Sequence, residues 1–316
     1  MPPCAASSAP SIPHSMKRAA YSAKKVDLYY PARRGAFFEA MPTNNEAFLC
    51  AEMARLAYSR SEPNFSFDRD LITRVLGEIG FSVAFFESRG TRNGVGTHCI
   101  LATSHTRELT IAAFRGRDVG DPTHLLRIAQ GLQTPWKAGG RVHAGFARAL
   151  ADVADEVVEA VDNLKYRTLY VGHSLGAALA TLLASVRKPD HLYTLGSPRV
   201  GNAKFAATCG DVNVTRFVDC CDLVTHLFPA NRLACISYIH VGVPYYIDRN
   251  RNVWVNPSES FMRVDRYCAS AEYIVKYGWI KDNLGLREFA DHSPINYADA
   301  IKVEASSGHS CLSPSA

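Results

Sequence analysis

Apolar positions along this chain change period several times, and each change marks an element. From Asn45 to Arg60 they fall at helical spacing, Phe48, Leu56 and Ala57 among them, with Asn44 or Asn45 placed to cap the helix. Phe67 to Ile79 reads as a second helix, closed by Gly80. Three strand-like runs follow, Phe81 to Phe86, His98 to Thr103 and Glu108 to Phe114, and the Arg-Gly, Asn-Gly and Ser-His turn signals between them predict an antiparallel meander. Residues 118 to 141 form a long connection without a clear element, a length that usually marks a functional loop or lid. A long helix is predicted over about Ala147 to Leu164, then a strand over Arg167 to Val171 and an apolar helix from Leu175 to Val186. His191 to Leu195 and Val212 to Val218 read as strands, and Ile236 to Asp248 reads as a hairpin. Asn202 caps a short helix reaching Cys209, and the last helix is expected over about Ser293 to Val303.

Thr168 to Val186 holds no charged residue and is nearly long enough to cross a bilayer. Two glycines, a histidine and two serines interrupt it, and a buried strand, tight turn and helix account for its apolarity better. That turn carries G-x-S-x-G, Gly172-His173-Ser174-Leu175-Gly176, the pattern of a nucleophile elbow. A serine there must sit in a strained backbone conformation so that its Oγ stands clear of the sheet. Gly172 and Gly176 remove the Cβ atoms that would collide where strand and helix pass. The helix behind Ser174 turns its free N–H groups and positive dipole end toward the same point.

Composition narrows the function. With 316 residues and 47% apolar residues the chain can bury a sizeable core. A formal charge of +5 permits attraction to anionic lipid without demanding it, and no dense Lys/Arg tract with interleaved aromatics points to nucleic acid. Nine cysteines are scattered without a C-x-x-C pair, which argues against a zinc ribbon and for free thiols in a reducing compartment. H-E-x-x-H and a Gly-rich phosphate loop are both absent from the sequence, so no metal or cofactor is expected. Residues 1–40 are rich in Pro, Ala and Ser, then in Lys and Arg, with no acid before Asp27 and no apolar run of signal-peptide length. They are expected to form a flexible or loosely docked arm, with residues 41–316 as a single domain. Without a visible secretory signal or spanning helix a cytoplasmic location is the default, with secretion by another route left open.

Several short pieces, in this order, resemble the fungal-type lipases known as class 3: Leu56-Ala57-Tyr58, Phe114-Arg115-Gly116, Val142 to Phe146, Gly172 to Gly176, Gly196 to Asn202, Arg216 through Asp222-Leu223-Val224, and Asp291-His292. The resemblance spans about residues 46–300. It implies an α/β-hydrolase-like fold, a central mostly parallel sheet flanked by helices, with a lid between the third strand and Val142. It also implies a triacylglycerol lipase-like carboxylic-ester hydrolase acting on lipids, triacylglycerol or another acyl glyceride, with an ester or lipid substrate and transient contact with a lipid–water interface. Phospholipase A1 and small-ester or feruloyl esterase activity are the nearest alternatives. A non-catalytic lipid-binding protein on the same fold is the more distant one.

Ester hydrolysis by a serine needs a base, a group to orient the base, and donors for the tetrahedral oxyanion. On this fold the chain order is Ser, acid, His. Asp219 and Asp222 both qualify by position as the acid, and the family pattern selects Asp222. His191, His226, His240, His292 and His309 lie beyond the elbow; the family pattern selects His292, with His240 next. The oxyanion donors implied are the backbone N–H groups of Leu175 and Arg117. Family members usually hold Ser or Thr at the latter position, so the backbone donor survives here and the extra hydroxyl does not. Losing one oxyanion donor costs about 10²–10³ in rate. Leu125, Leu126 and Ile128 supply the apolar side of the expected lid. His143 and His173 are expected to be structural, Asp291 to cap the last helix, and Arg199 to hold a structural ion pair.

Overall fold

The computed structural model describes residues 19–38, 45–61, 66–88, 96–116, 132–228 and 237–307. The meander forms as the turn signals predict: β1 (Ser82–Glu87), β2 (His98–Ser104) and β3 (Leu109–Phe114) pair antiparallel. From β3 the sheet continues in parallel through β6 (Arg167–His173), β7 (His191–Leu195), β8 (Val214–Asp219) and β9 (Pro244–Ile247). An antiparallel β10 (Val253–Val255) closes the far edge, giving eight strands in the order β1-β2-β3-β6-β7-β8-β9-β10. A separate two-stranded ribbon, β4 (Gln133–Pro135) with β5 (Arg141–His143), lies at the end of the long connection that follows β3.

Alternation along the central strands feeds two cores. Ile111, Ala113, Leu169, Val171 and Leu195 face α2 (Glu46–Leu56), α3 (Arg69–Glu78) and the C-terminal helix 294–307. Ala112, Phe114, Tyr170 and Leu192 face α4 (Ala144–Ala151), α5 (Ala154–Leu164) and α6 (Leu175–Val186). Residues pointing to opposite faces are buried on both, so these strands read as apolar runs rather than as alternating ones. Helix α4 and α5 are the long helix expected over 147–164, divided at Asp152–Val153, where Val153 N–H closes onto the Leu150 carbonyl. Asn202 caps α7 (Ala203–Ala207) by accepting from Phe205 N–H.

The structure alters or adds to the sequence reading at three places. The hairpin near 236–248 is displaced to β9 and β10. Asp248 sets its turn, with Oδ1 accepting from the N–H groups of Asn250 and Asn252. Helix α8 (Glu259–Lys276), capped by Ser258, was not legible, because Phe261, Val264, Tyr267 and Val275 are exposed on it and blur the apolar period. Of the two forms expected for the N-terminal arm, flexible or loosely docked, the described part is docked. Lys25–Tyr29 form α1, and Ala23 and Leu28 are buried against Tyr273, Leu284 and Ala290. The sequence signal failed here because two small contacts and a set of hydrogen bonds, rather than an apolar stripe, hold the segment. Residues 1–18 lie outside the described residues. Helix α9 (Arg287–Ala290) and α10 (Pro294–Ser307) complete the chain. No described helix is long and apolar enough to cross a membrane. Cys50, Cys99, Cys209, Cys220, Cys221 and Cys268 are free thiols.

Candidate active site

Ser174 sits between β6 and α6 with φ 58° and ψ −125°, a conformation that L residues rarely hold. Its N–H is fixed to the Leu195 carbonyl at 2.9 Å. The two glycines act on different neighbours. A Cβ on Gly172 would lie 2.2 Å from the Gly176 carbonyl, whereas one on Gly176 would lie 2.1 Å from the Phe114 carbonyl at the end of β3. Gly172 therefore admits the elbow's own helix, and Gly176 lets that helix pass the neighbouring strand. Ala177 and Ala178 donate to the Ser174 carbonyl, while Leu175 N–H, at the helix start, has no acceptor among the described residues.

His292 reaches this point from the turn between α9 and α10. Its Nε2 lies 2.9 Å from Ser174 Oγ. Its Nδ1 lies 2.9 Å from each oxygen of Asp222. A carboxylate only accepts, so Nδ1 carries the proton and Nε2 accepts from the serine hydroxyl. The three side chains are brought together in the order that sequence reading expected, and they are buried: Ser174, Asp222 and His292 expose 2%, 0% and 1% of their surface. Asp222 follows β8 and starts a 3₁₀ turn, Leu223–His226, by accepting Val224 N–H at Oδ1.

The alternatives fall elsewhere. Asp219 is buried beside Arg251, which donates Nη1 to both carboxylate oxygens at 2.8 and 2.6 Å. His240 Nε2 is bonded to the Thr225 carbonyl, not to Ser174. Arg117, Leu125, Leu126 and Ile128 lie outside the described residues.

Two supporting residues gave no signal as site residues. Tyr297 OH donates to Asp222 Oδ2 at 2.6 Å and accepts Asp219 N–H at 3.0 Å. It lies one helical turn past His292 on an apolar face, where a tyrosine looks like ordinary core. Burial and the adjacent Asp222 hold its phenol well above the usual value, so it stays a donor. Gly196 has φ +58°, and a Cβ there would meet Asp222 Oδ2 at 2.6 Å and His292 Nδ1 at 3.1 Å. Its motif, Gly196-Ser197-Pro198, was visible, but its role against the Asp–His pair was not.

His173 is structural, as expected, and the structure shows what it holds. Nε2 donates to the His292 carbonyl at 2.9 Å, so Nδ1 accepts from Tyr58 OH at 2.7 Å. Burial and the nearby His292 push its pKa well below the usual value, which keeps a second positive charge away from His292. His143 caps α4 through Nδ1, which accepts Gly145 and Phe146 N–H. Two minor expectations are corrected. Asp291 does not cap the last helix; its carboxylate accepts from Arg287, Tyr21 OH and Cys221 N–H. Arg199 donates to the His226 and Leu227 carbonyls instead of forming an ion pair.

Metal-ligating atoms gather at one place among the described residues, where Cys220 and Cys221 Sγ and the Asp291 carboxylate lie within 4.8 Å of one another. The Asp291 oxygens are already taken as described, and burial holds the Cys220 thiol far above the range in which it would ionise. A metal needs the thiolate, so this set does not fit one.

The sequence family described as Lipase (class 3) matches residues 111–232. Among curated relatives, the secreted mono- and diacylglycerol lipase 1 of Fusarium solani is 32% identical over 176 residues, 50% of this chain and 49% of that protein. The secreted mono- and diacylglycerol lipase A of Penicillium cyclopium is 33% identical over 171 residues, 50% of this chain and 54% of that protein. The chain thus spans about half the length of the curated relatives it matches. Of solved structures, lipase II from Rhizopus niveus aligns with a TM-score of 0.52 at 25% identity, covering 63% of this chain and 79% of that one. Sequence match over residues 111–232, structural likeness and the mostly parallel sheet agree: the chain is similar to the fungal-type class 3 lipases and shares their α/β fold.

Proposed function

We propose that this protein is a serine carboxylic-ester hydrolase acting on acyl glycerides through Ser174, His292 and Asp222. The observation that carries the reading is the continuous chain of contacts from Ser174 Oγ through His292 to Asp222, each 2.9 Å long, on a strained elbow. Ser174 Oγ attacks the ester carbonyl as His292 Nε2 takes its proton. Asp222 holds the imidazole in its reactive tautomer and stabilises the imidazolium. The Leu175 N–H, facing the site from the start of α6, receives the oxyanion, with Arg117 N–H as the second donor. His292 returns the proton to the leaving alcohol, and water then releases the acyl group by the same route. Two relatives named as mono- and diacylglycerol lipases support acyl glycerides as the substrate class.

The test uses a fluorophosphonate probe and short p-nitrophenyl esters, followed by mono-, di- and triacylglycerols of graded chain length. Wild type is expected to label at Ser174 and turn over the ester, and folded Ser174→Ala to do neither. Retention of more than a few per cent of wild-type activity in Ser174→Ala would sink the assignment.

A further inference from the structure

A cavity of about 640 Å³ lies between β8, β9, the turn after Asp222 and the N-terminal end of α8. Four guanidinium groups line it: Arg199, Arg216, Arg263 and Arg266. Among the described residues none of the four lies within ion-pair distance of a carboxylate. Arg199 and Arg266 donate to backbone carbonyls, Arg266 also through Nη1 to His226 Nε2, and among the described residues Arg216 bonds only through Nε, to the Gly242 carbonyl at 3.2 Å. Arg216 is 8% exposed, so its remaining donors face the cavity as a buried charge without a counter-ion. Burying an uncompensated charge is expensive, and a sequence keeps one where a ligand supplies the opposite sign.

The neighbours deepen the positive field. His240 lines the same cavity, and burial together with Arg216 and Arg199 holds its pKa well below the usual value, so it answers the arginines by staying neutral. The same crowding lowers Arg216 to about 10, which still leaves it charged at neutral pH. Ser260, in the first turn of the 18-residue helix α8, also borders the space, adding the positive end of a helix dipole. Glu259 is the one acid among the lining residues.

We infer that this cavity is a binding site for a phosphomonoester dianion, held by the guanidinium groups of Arg199, Arg216 and Arg266, with Arg263 at its rim. Several planar forks converging on one space suit a tetrahedral oxyanion with two charges better than a single carboxylate. The volume is ample for more than a bare phosphate. The phosphate arrives on a soluble metabolite or on a lipid headgroup. The exposed Phe261, Val264 and Tyr267, which flank Arg263 and Arg266 along α8, would meet the surface in the second case. The site is separate from the proposed catalytic residues, so its occupancy and ester hydrolysis can succeed or fail independently.

The test is titration of the full chain with sodium phosphate at constant ionic strength by calorimetry, with sodium chloride as the reference. In parallel, the protein is co-sedimented with phosphatidylcholine vesicles with and without phosphatidate. Saturable binding of phosphate, weakened at least tenfold (about 1.4 kcal/mol) in Arg266→Gln and further in the Arg263→Gln/Arg266→Gln double variant, supports the site. Binding of free phosphate without selective sedimentation assigns a soluble ligand; sedimentation only with phosphatidate, lost in the double variant, assigns a headgroup. Both arms are repeated in Ser174→Ala, where binding should persist. Arg216→Lys, which keeps the charge but not the fork, should weaken binding too, and the two surface-proximal variants keep the test decisive if it does not fold. Short-ester turnover should be unchanged in the double variant. Absence of saturable binding to either source, or a double variant that binds like wild type, overturns the inference.

Discussion

Residues 21–27, in the arm expected to be flexible or loosely docked, grip the turn that carries His292. Tyr21 OH donates to Asp291 Oδ1 at 2.7 Å, Ser22 and Asn296 exchange two bonds of 2.8 Å, and Ser293 Oγ donates to the Asp27 carbonyl at 2.8 Å. The residue before His292, the one after it and Asn296 are thus all tied to residues 21–27. Removing residues 1–29 deletes these ties, the backbone bonds Lys25 N–H to Asp282 O and Leu284 N–H to Ala23 O, and the buried Leu28 side chain. Water reaches the exposed partners in the truncated protein, so each side-chain tie counts at its net value of about 1 kcal/mol rather than at a full desolvation penalty. Loss of the three groups of ties then amounts to about 3 kcal/mol. At roughly 2 °C per kcal/mol for a chain of this size, these ties alone should lower Tm by about 6 °C, and the two backbone bonds and Leu28 add to the drop. Ester turnover should fall with it, because His292 loses its fixed position. Differential scanning calorimetry and a p-nitrophenyl ester assay measure both, and deletion of residues 1–18 alone, which removes none of these bonds, is the reference. An unchanged Tm and full activity on deleting 1–29 would refute the bracing argument. Tyr21→Phe should show a smaller loss of the same kind.

Three further outcomes follow from the site. Tyr297→Phe removes the 2.6 Å donor to Asp222 and orphans Asp219 N–H, so unfolding in urea should show a loss of about 1–3 kcal/mol. Its kcat should fall more than its KM rises. Gly196→Ala forces a positive φ on alanine and places a methyl 2.6 Å from Asp222 Oδ2, so kcat should collapse, and near-wild-type turnover would contradict the packing described. Burial and the Arg115 guanidinium hold His98 down at about 4 from 6.5. A depressed histidine contributes stability above its unfolded value and loses it as pH falls through 6.5 toward 4, an effect on the order of 2–3 kcal/mol by pH 4. Stability measured across that range should fall less steeply in His98→Gln than in wild type.

The parts of the site that could be read from sequence are those where backbone geometry forces residue identity. Gly172 and Gly176 are required by atoms barely 2 Å away, and Gly116, in the Phe114-Arg115-Gly116 piece, would otherwise strike Tyr58 OH at 2.0 Å. That contact also explains why Tyr58 travels with the elbow: it is the donor that fixes His173, which in turn holds the His292 carbonyl. Strands of the central sheet were legible because they are apolar on both faces. The parts that stayed hidden depend on long-range partners. Tyr21 meets Asp291 and Ser22 meets Asn296 across 270 and 274 residues of sequence, and none of them carries a local pattern. Helix α8 was hidden because its exposed apolar residues erase the contrast between its faces.

The choice between Asp219 and Asp222, open at the level of sequence, has an electrostatic reason in the fold. Both are fully buried and three residues apart. Asp219 is neutralised by Arg251, and its neighbour Asp291 by Arg287, so each contributes little net field at the imidazole. Among the described residues Asp222 has no cationic side chain in ion-pair contact other than His292 when that ring is protonated. Its remaining acceptor positions are filled by neutral donors, Tyr297 OH and Val224 N–H, which fix the carboxylate without cancelling its charge. A proton arriving on His292 therefore meets an uncompensated negative charge at 2.9 Å in a dry site, with His173 behind it held neutral by burial. Moving the charge balance by one unit at either position should expose this. Asp222→Asn removes the negative charge that the imidazolium needs and should lower kcat by orders of magnitude with little effect on KM. Asp219→Asn frees Arg251 as an unpaired buried cation, so it should act first on stability and only through that on turnover. If Asp219→Asn instead removed kcat from a protein of wild-type Tm while Asp222→Asn stayed active, the assignment of the acid would be reversed.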